Sequence, residues 1–75
     1  MFGEYSQMTG LCLFEVFDIA IATRETYIAN RMKKTEGVGP AIRYLNRQIN
    51  LLYFPVTQIQ LKYLIRSYKE ELGLQ

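Results

Sequence analysis

Apolar side chains recur along the chain with the three- and four-residue spacing of helices, in three segments separated by breaks that contain glycine or proline. This spacing predicts helices over about residues 10–34, 40–53 and 58–72. The chain is therefore predicted to be all-α, with a long N-terminal helix followed by a helical hairpin. At 75 residues it forms a single domain, 1–75.

The first helical segment is apolar on nearly every side. Between residues 11 and 22, every residue except Glu15 and Asp18 is apolar. Helical spacing places these two acids on one face, in line with Ala22 and Glu25. We therefore predict one thin acidic stripe, exposed to solvent, on an otherwise apolar helix.

Two apolar stripes follow the length of this first helix. The main stripe comprises Phe14, Phe17, Ile21, Ile28 and Met32, and a second stripe comprises Leu13, Val16, Ala20, Thr23 and Tyr27. A short apolar run such as residues 11–17 also allows a strand. The smooth continuation of the apolar spacing into the second half of the segment favours the helix.

An apolar helix of this kind needs partners on several sides, and a chain of this size buries only about 60% of its unfolded surface. Cys12 is the only cysteine and histidine is absent, so neither an intrachain disulfide nor a zinc site can add stability. We predict a homodimer assembled through the first helix. The predicted interface residues are Leu13, Phe14, Val16, Phe17, Ala20 and Ile21.

Glycine and proline mark the predicted helix ends. Gly37 can adopt the left-handed conformation that ends the first helix, and Pro40 suits the first turn of the second. Pro55 disfavours a helical conformation at Phe54 and so ends the second helix.

The third helix carries a local start signal. Thr57 followed by Gln60 predicts a capping box, and Val56 with Leu61 predicts a hydrophobic staple beside it. The apolar stripe of this helix is Leu61, Leu64, Ile65, Tyr68 and Leu72.

Residue types that carry catalysis are sparse. Histidine, the usual acid–base catalyst at neutral pH, is absent, and no glycine-rich phosphate-binding loop is present. Glu15 and Asp18 lack the second carboxylate pair or histidine that would complete a metal site. Cys12 has no neighbouring base in the sequence to activate it as a nucleophile. We expect a non-enzymatic protein with no cofactor and no bound metal.

Charge and hydropathy also indicate where in the cell the protein is expected. The apolar run of about 12 residues is shorter than the roughly 20 that span a bilayer, and it carries two acids. The N-terminus lacks the basic region of a signal peptide. We expect a cytoplasmic protein without membrane contact, whose net charge of +2 permits nucleic-acid binding without requiring it.

These features favour a small interaction protein, an inhibitor or adaptor that binds another protein and modulates it. Its size suits a viral or mobile-element origin. The alternative is a dimeric helix-turn-helix DNA-binding regulator, in which the third helix enters the major groove. A proline in the turn and the small net charge count against DNA binding. For either partner the candidate contact residues are Arg43, Arg47, Gln58, Gln60, Lys62, Arg66 and Lys69.

Overall fold

The computed structural model describes residues 12–73 and contains three helices in that part of the chain. Helix α1 spans Leu13–Glu36, α2 spans Val38–Leu51 and α3 spans Pro55–Glu71. No strand occurs among the described residues, which confirms the all-α prediction.

The helix boundaries depart from the predictions by a few residues each. Helix α1 begins after Cys12, and its predicted first residue, Gly10, lies outside the described residues. Gly37 ends α1 as predicted, with φ of 110° and its N–H group directed at the carbonyl oxygens of Met32 and Lys33. Helix α2 follows immediately, with Pro40 in its first turn.

The helices form an up-down-up bundle in which each one contacts the other two. Helices α1 and α3 are parallel. Asp18 meets Thr57 near their starts, and Lys33 Nζ lies 2.9 Å from Glu71 Oε2 at their ends. The same ammonium group lies 4.9 Å from the centre of the Tyr68 ring, in a cation–π contact.

Helices α2 and α3 supply most of the apolar core, while α1 contributes a buried alanine and packs the half-buried Met32 against it. The predicted stripe of α3 is buried except for Leu72, which is half exposed. The core cluster comprises Ala29, Ala41, Leu45, Leu61, Leu64, Ile65 and Tyr68. Ala29 is the only member from α1, and its small size lets α1 lie close to the hairpin.

Candidate interaction surface

Helix α1 buries its acidic face and exposes much of its apolar surface. Its buried residues are Asp18, Ala22, Glu25 and Ala29, and the two acids are only 1% and 2% exposed. The predicted solvent-exposed acidic stripe is therefore wrong. Burial is tolerated because donors from α2 and α3 replace the water around each carboxylate. Among the described residues, no buried side-chain nitrogen or oxygen lacks a hydrogen-bond partner.

Asp18 caps helix α3 from across the bundle. Its Oδ2 accepts from the N–H group of Val56 at 2.8 Å, and its Oδ1 accepts from the N–H group and hydroxyl of Thr57 at 2.8 and 2.7 Å. The N-cap residue Phe54 has no side-chain acceptor, and Pro55 follows it in the first turn. Asp18 supplies from α1 the acceptor that α3 lacks locally, next to the positive end of the helix dipole.

The capping box predicted at Thr57 and Gln60 does not form. Because α3 begins at Pro55, Thr57 lies inside the first turn and cannot be the N-cap residue. The amide of Gln60 instead donates to Thr26 Oγ1 of α1 at 3.2 Å. The predicted hydrophobic staple is lost for the same reason, since it requires the same N-cap position. The preference of proline for the first helical turn was the competing signal at this site.

Hydrogen bonding keeps the Asp18 carboxyl ionised. Burial by itself raises the pKa of this group, but the hydrogen bonds from the Thr57 hydroxyl and from the N–H groups of Val56 and Thr57 outweigh it. The pKa of Asp18 consequently lies below its ordinary value of 3.8. The stabilisation from Asp18 is therefore present above the ordinary pKa and is lost as the pH falls through the lowered one.

Glu25 joins α1 to α2 through side-chain hydrogen bonds. Its Oε1 accepts from the hydroxyl of Tyr44 at 2.5 Å and from Nε2 of Gln48 at 2.9 Å. Arg24 Nη1 lies 4.0 Å from the other carboxylate oxygen, at the protein surface. Burial, followed by the hydrogen bond to Glu25, raises the pKa of Tyr44 to about 12, so the phenol remains a donor throughout the neutral range.

The apolar side chains that the acids displace from the interior lie on the outside of α1. Leu13, Phe17 and Tyr27 are 69%, 66% and 64% exposed. Of the other predicted interface residues, Phe14, Val16 and Ala20 are exposed, and Ile21 is half buried. Within the main stripe, Ile28 and Met32 are half buried as well. The second stripe, which we call the outer stripe, is exposed along its whole length: Leu13, Val16, Ala20, Thr23 and Tyr27.

Further apolar side chains are exposed at the end of the bundle where α1 begins and α2 meets α3. Leu51, Tyr53 and Ile59 are well exposed there, and the ring of Phe14 lies 5.5 Å from that of Phe54, measured between centroids. The opposite end carries the ion pair between Lys33 and Glu71.

The candidate contact residues of α2 and α3 divide into exposed cations and engaged amides. The exposed cations are Arg43, Arg47, Lys62, Arg66 and Lys69, of which Arg66 pairs with Glu70 at 3.5 Å. The Gln58 amide donates to the carbonyl oxygens of Ile49 and Leu52, each at 2.6 Å, and so closes the end of α2. With Gln60 bonded to Thr26, both glutamines have intramolecular partners, which leaves fewer side chains for reading bases.

Comparisons with models of protein families, with curated proteins and with solved structures gave no match to this chain. Within the described residues, no group of three histidine, cysteine, aspartate or glutamate side chains could hold a metal ion. None of α1 to α3 is long and apolar enough to cross a bilayer. The proposed function therefore depends on the surfaces described above.

Proposed function

We propose that this protein is a small non-enzymatic interaction protein, an adaptor or inhibitor that acts as a homodimer and binds another macromolecule. The observation that supports the proposal is the orientation of α1. Its two carboxylates are buried and hydrogen-bonded, whereas the large apolar side chains Leu13, Phe17 and Tyr27 are about two-thirds exposed. Rotating α1 to bury the apolar side chains would break these hydrogen bonds, so helices α2 and α3 cannot cover them, and a second chain could.

The gain from covering this surface is large for a chain of this size. Leu13, Phe17 and Tyr27 are each about two-thirds exposed. Burying one such side chain contributes roughly 1–2 kcal/mol. A domain this small has a core that supplies only about 3–5 kcal/mol of net stability. Association would therefore add a substantial fraction of the stability of the protein.

The exposed cations of α2 and α3 would remain accessible in such a dimer, because the outer stripe faces away from the hairpin. Lys62, Arg66 and Lys69 recur at three- and four-residue spacing along one side of α3. A basic row of this kind favours a partner with an acidic surface. The two engaged glutamine amides favour a protein partner over sequence-specific DNA.

Introducing a charge into the outer stripe is expected to separate the proposed dimer. Wild-type protein at micromolar concentration should have twice the mass of one chain by sedimentation equilibrium, and Val16→Glu should have the mass of one chain. A buried unpaired carboxylate opposes association, whereas Val16 is already exposed in the folded chain, so the fold should survive. Ile59→Glu, which changes an exposed apolar residue of α3, is the matched control and should leave the mass unchanged. A wild-type mass of one chain would contradict the dimer.

Reversing charges on α3 is expected to weaken partner binding without changing the assembly. The double variant Lys62→Glu, Lys69→Glu should retain about tenfold less of an acidic macromolecule captured by wild-type protein, because each lost exposed ion pair is worth up to about 1 kcal/mol. Capture from a native-cell lysate, with and without nuclease, is the measurement. Nuclease-sensitive capture would favour the helix-turn-helix alternative. Equal capture by both proteins would exclude this row of cations as the binding face.

A further inference from the structure

The outer stripe has the spacing of a coiled-coil seam. Its five residues follow one another at intervals of three, four, three and four, and all five are exposed on the side of α1 opposite the buried acids. Alternating three- and four-residue intervals keep one side of a helix facing a second helix along its length. The stripe therefore matches another helix with the same spacing, which a second copy of this chain provides.

The composition of the outer stripe also suits self-association. Ala20 and Thr23 at its centre are small and allow close approach, while larger side chains lie on either side of them. The Thr23 hydroxyl donates to the carbonyl oxygen of Ile19 at 2.8 Å, so burying Thr23 leaves no unpaired donor. With exposed Phe17 beside it, the outer stripe offers about 500 Å² per chain, because aromatic side chains that bury about 200 Å² in full are already one-third buried here. A symmetric pair would bury roughly 1,000 Å², the value from which a specific interface becomes plausible.

Charge selects the direction of the pair. Arg31 and Lys34 continue the line of the outer stripe beyond Tyr27, and both are exposed. In a parallel pair each of these cations would face its own counterpart, which is unfavourable. In an antiparallel pair the cations of each helix would lie beyond the outer stripe of the other helix.

We infer that two copies of this chain pair antiparallel through the outer stripe of α1, with the two-fold axis passing between Ala20 and Thr23. This register places Val16 of each copy opposite Tyr27 of the other and packs the small central residues against one another. The inference rests on the proposed function, because it gives the geometry of the homodimer proposed above.

Disulfide trapping in a Cys12→Ser background tests this geometry. Val16→Cys mixed with Tyr27→Cys should give a mixed disulfide in high yield under mild oxidation. Neither variant should form a disulfide with itself, because equivalent α-carbons would lie about 16 Å apart along the axis, at 1.5 Å per residue. A disulfide needs α-carbons within about 7 Å. Ile59→Cys, exposed on α3, measures random collision.

The outcomes separate the inference from the proposed function. A mixed disulfide well above the Ile59→Cys background supports the antiparallel pair. Self-linked Val16→Cys and Tyr27→Cys in a protein with the mass of two chains would overturn the antiparallel arrangement and leave the homodimer standing. A mass of one chain, with every variant at the background yield, would overturn both.

Discussion

Replacing Asp18 with asparagine is expected to lower the melting temperature of the protein by on the order of 10 °C, because the substitution weakens a strong helix cap in a small domain. Asparagine keeps the size of the side chain but has one acceptor oxygen. Its NH₂ group would face the backbone N–H group of either Val56 or Thr57, and neither N–H group can accept a hydrogen bond. Thermal unfolding followed by circular dichroism measures the change.

Glu15→Gln is the matched control for this substitution. Glu15 is an acid of the same helix but is exposed, so its neutralisation should leave the melting temperature nearly unchanged. Acid should reduce the difference between wild type and Asp18→Asn, because protonation of Asp18 below its lowered pKa removes the same stabilisation in the wild type. A difference that stays constant from neutral pH to well below pH 3.8 would contradict the role of the ionised carboxylate.

Removing the Glu25 side chain is expected to destabilise the fold by about 2–4 kcal/mol in urea unfolding. Glu25→Ala leaves the Tyr44 hydroxyl and the Gln48 amide without their shared acceptor, and it opens a void between α1 and α2. Glu25→Gln keeps one acceptor oxygen and should cost less.

A double-mutant cycle with Tyr44→Phe separates the hydrogen bond from the void. Tyr44→Phe alone should cost about 1 kcal/mol, and its cost should shrink in the Glu25→Ala background, where the hydroxyl has already lost its acceptor. Additive effects of the two substitutions would show that the two side chains do not act together.

The three helices could be predicted because their signals are local. Apolar spacing within each segment gave their number and order, and the stripe residues Leu61, Leu64 and Ile65 are buried in α3 as predicted. Gly37 ended α1 because a glycine at that position can take positive φ. These features require no knowledge of the rest of the chain.

Which side of α1 is buried could not be predicted from such local signals. Asp18 is buried because donors from Val56 and Thr57, almost 40 positions away, surround it. Glu25 is buried because it accepts hydrogen bonds from Tyr44 and Gln48. A prediction based on hydropathy alone places acids at the solvent-exposed surface, because it does not take such distant donors into account. Ala22 and Ala29 were the available clue, because small residues in line with the acids mark the side where another helix can approach closely.

Part of the candidate interaction surface could be predicted from the sequence, and part could not. The sequence indicated that α1 has more apolar surface than the chain can cover, and the structure places Leu13, Val16 and Phe17 at the surface. The homodimer itself stays a prediction. Gln58 and Gln60 lie near the start of a helix, and from the sequence alone their side chains were predicted to be free to contact a partner. Their intramolecular hydrogen bonds depend on the positions of α1 and of the end of α2, which the sequence pattern does not reveal.

The cap that Asp18 provides also constrains the order of assembly. Synthesis proceeds from the N-terminus, so α1 is complete before the residues of α3 that its carboxylate must bind. Until then the Asp18 carboxylate has only water as a partner, and the side of α1 that packs on the other two helices is open to wrong contacts. The start of α3 in turn lacks its acceptor until α1 docks. The cap therefore couples the folding of the first helix to that of the last, with α2 as the link that brings them together.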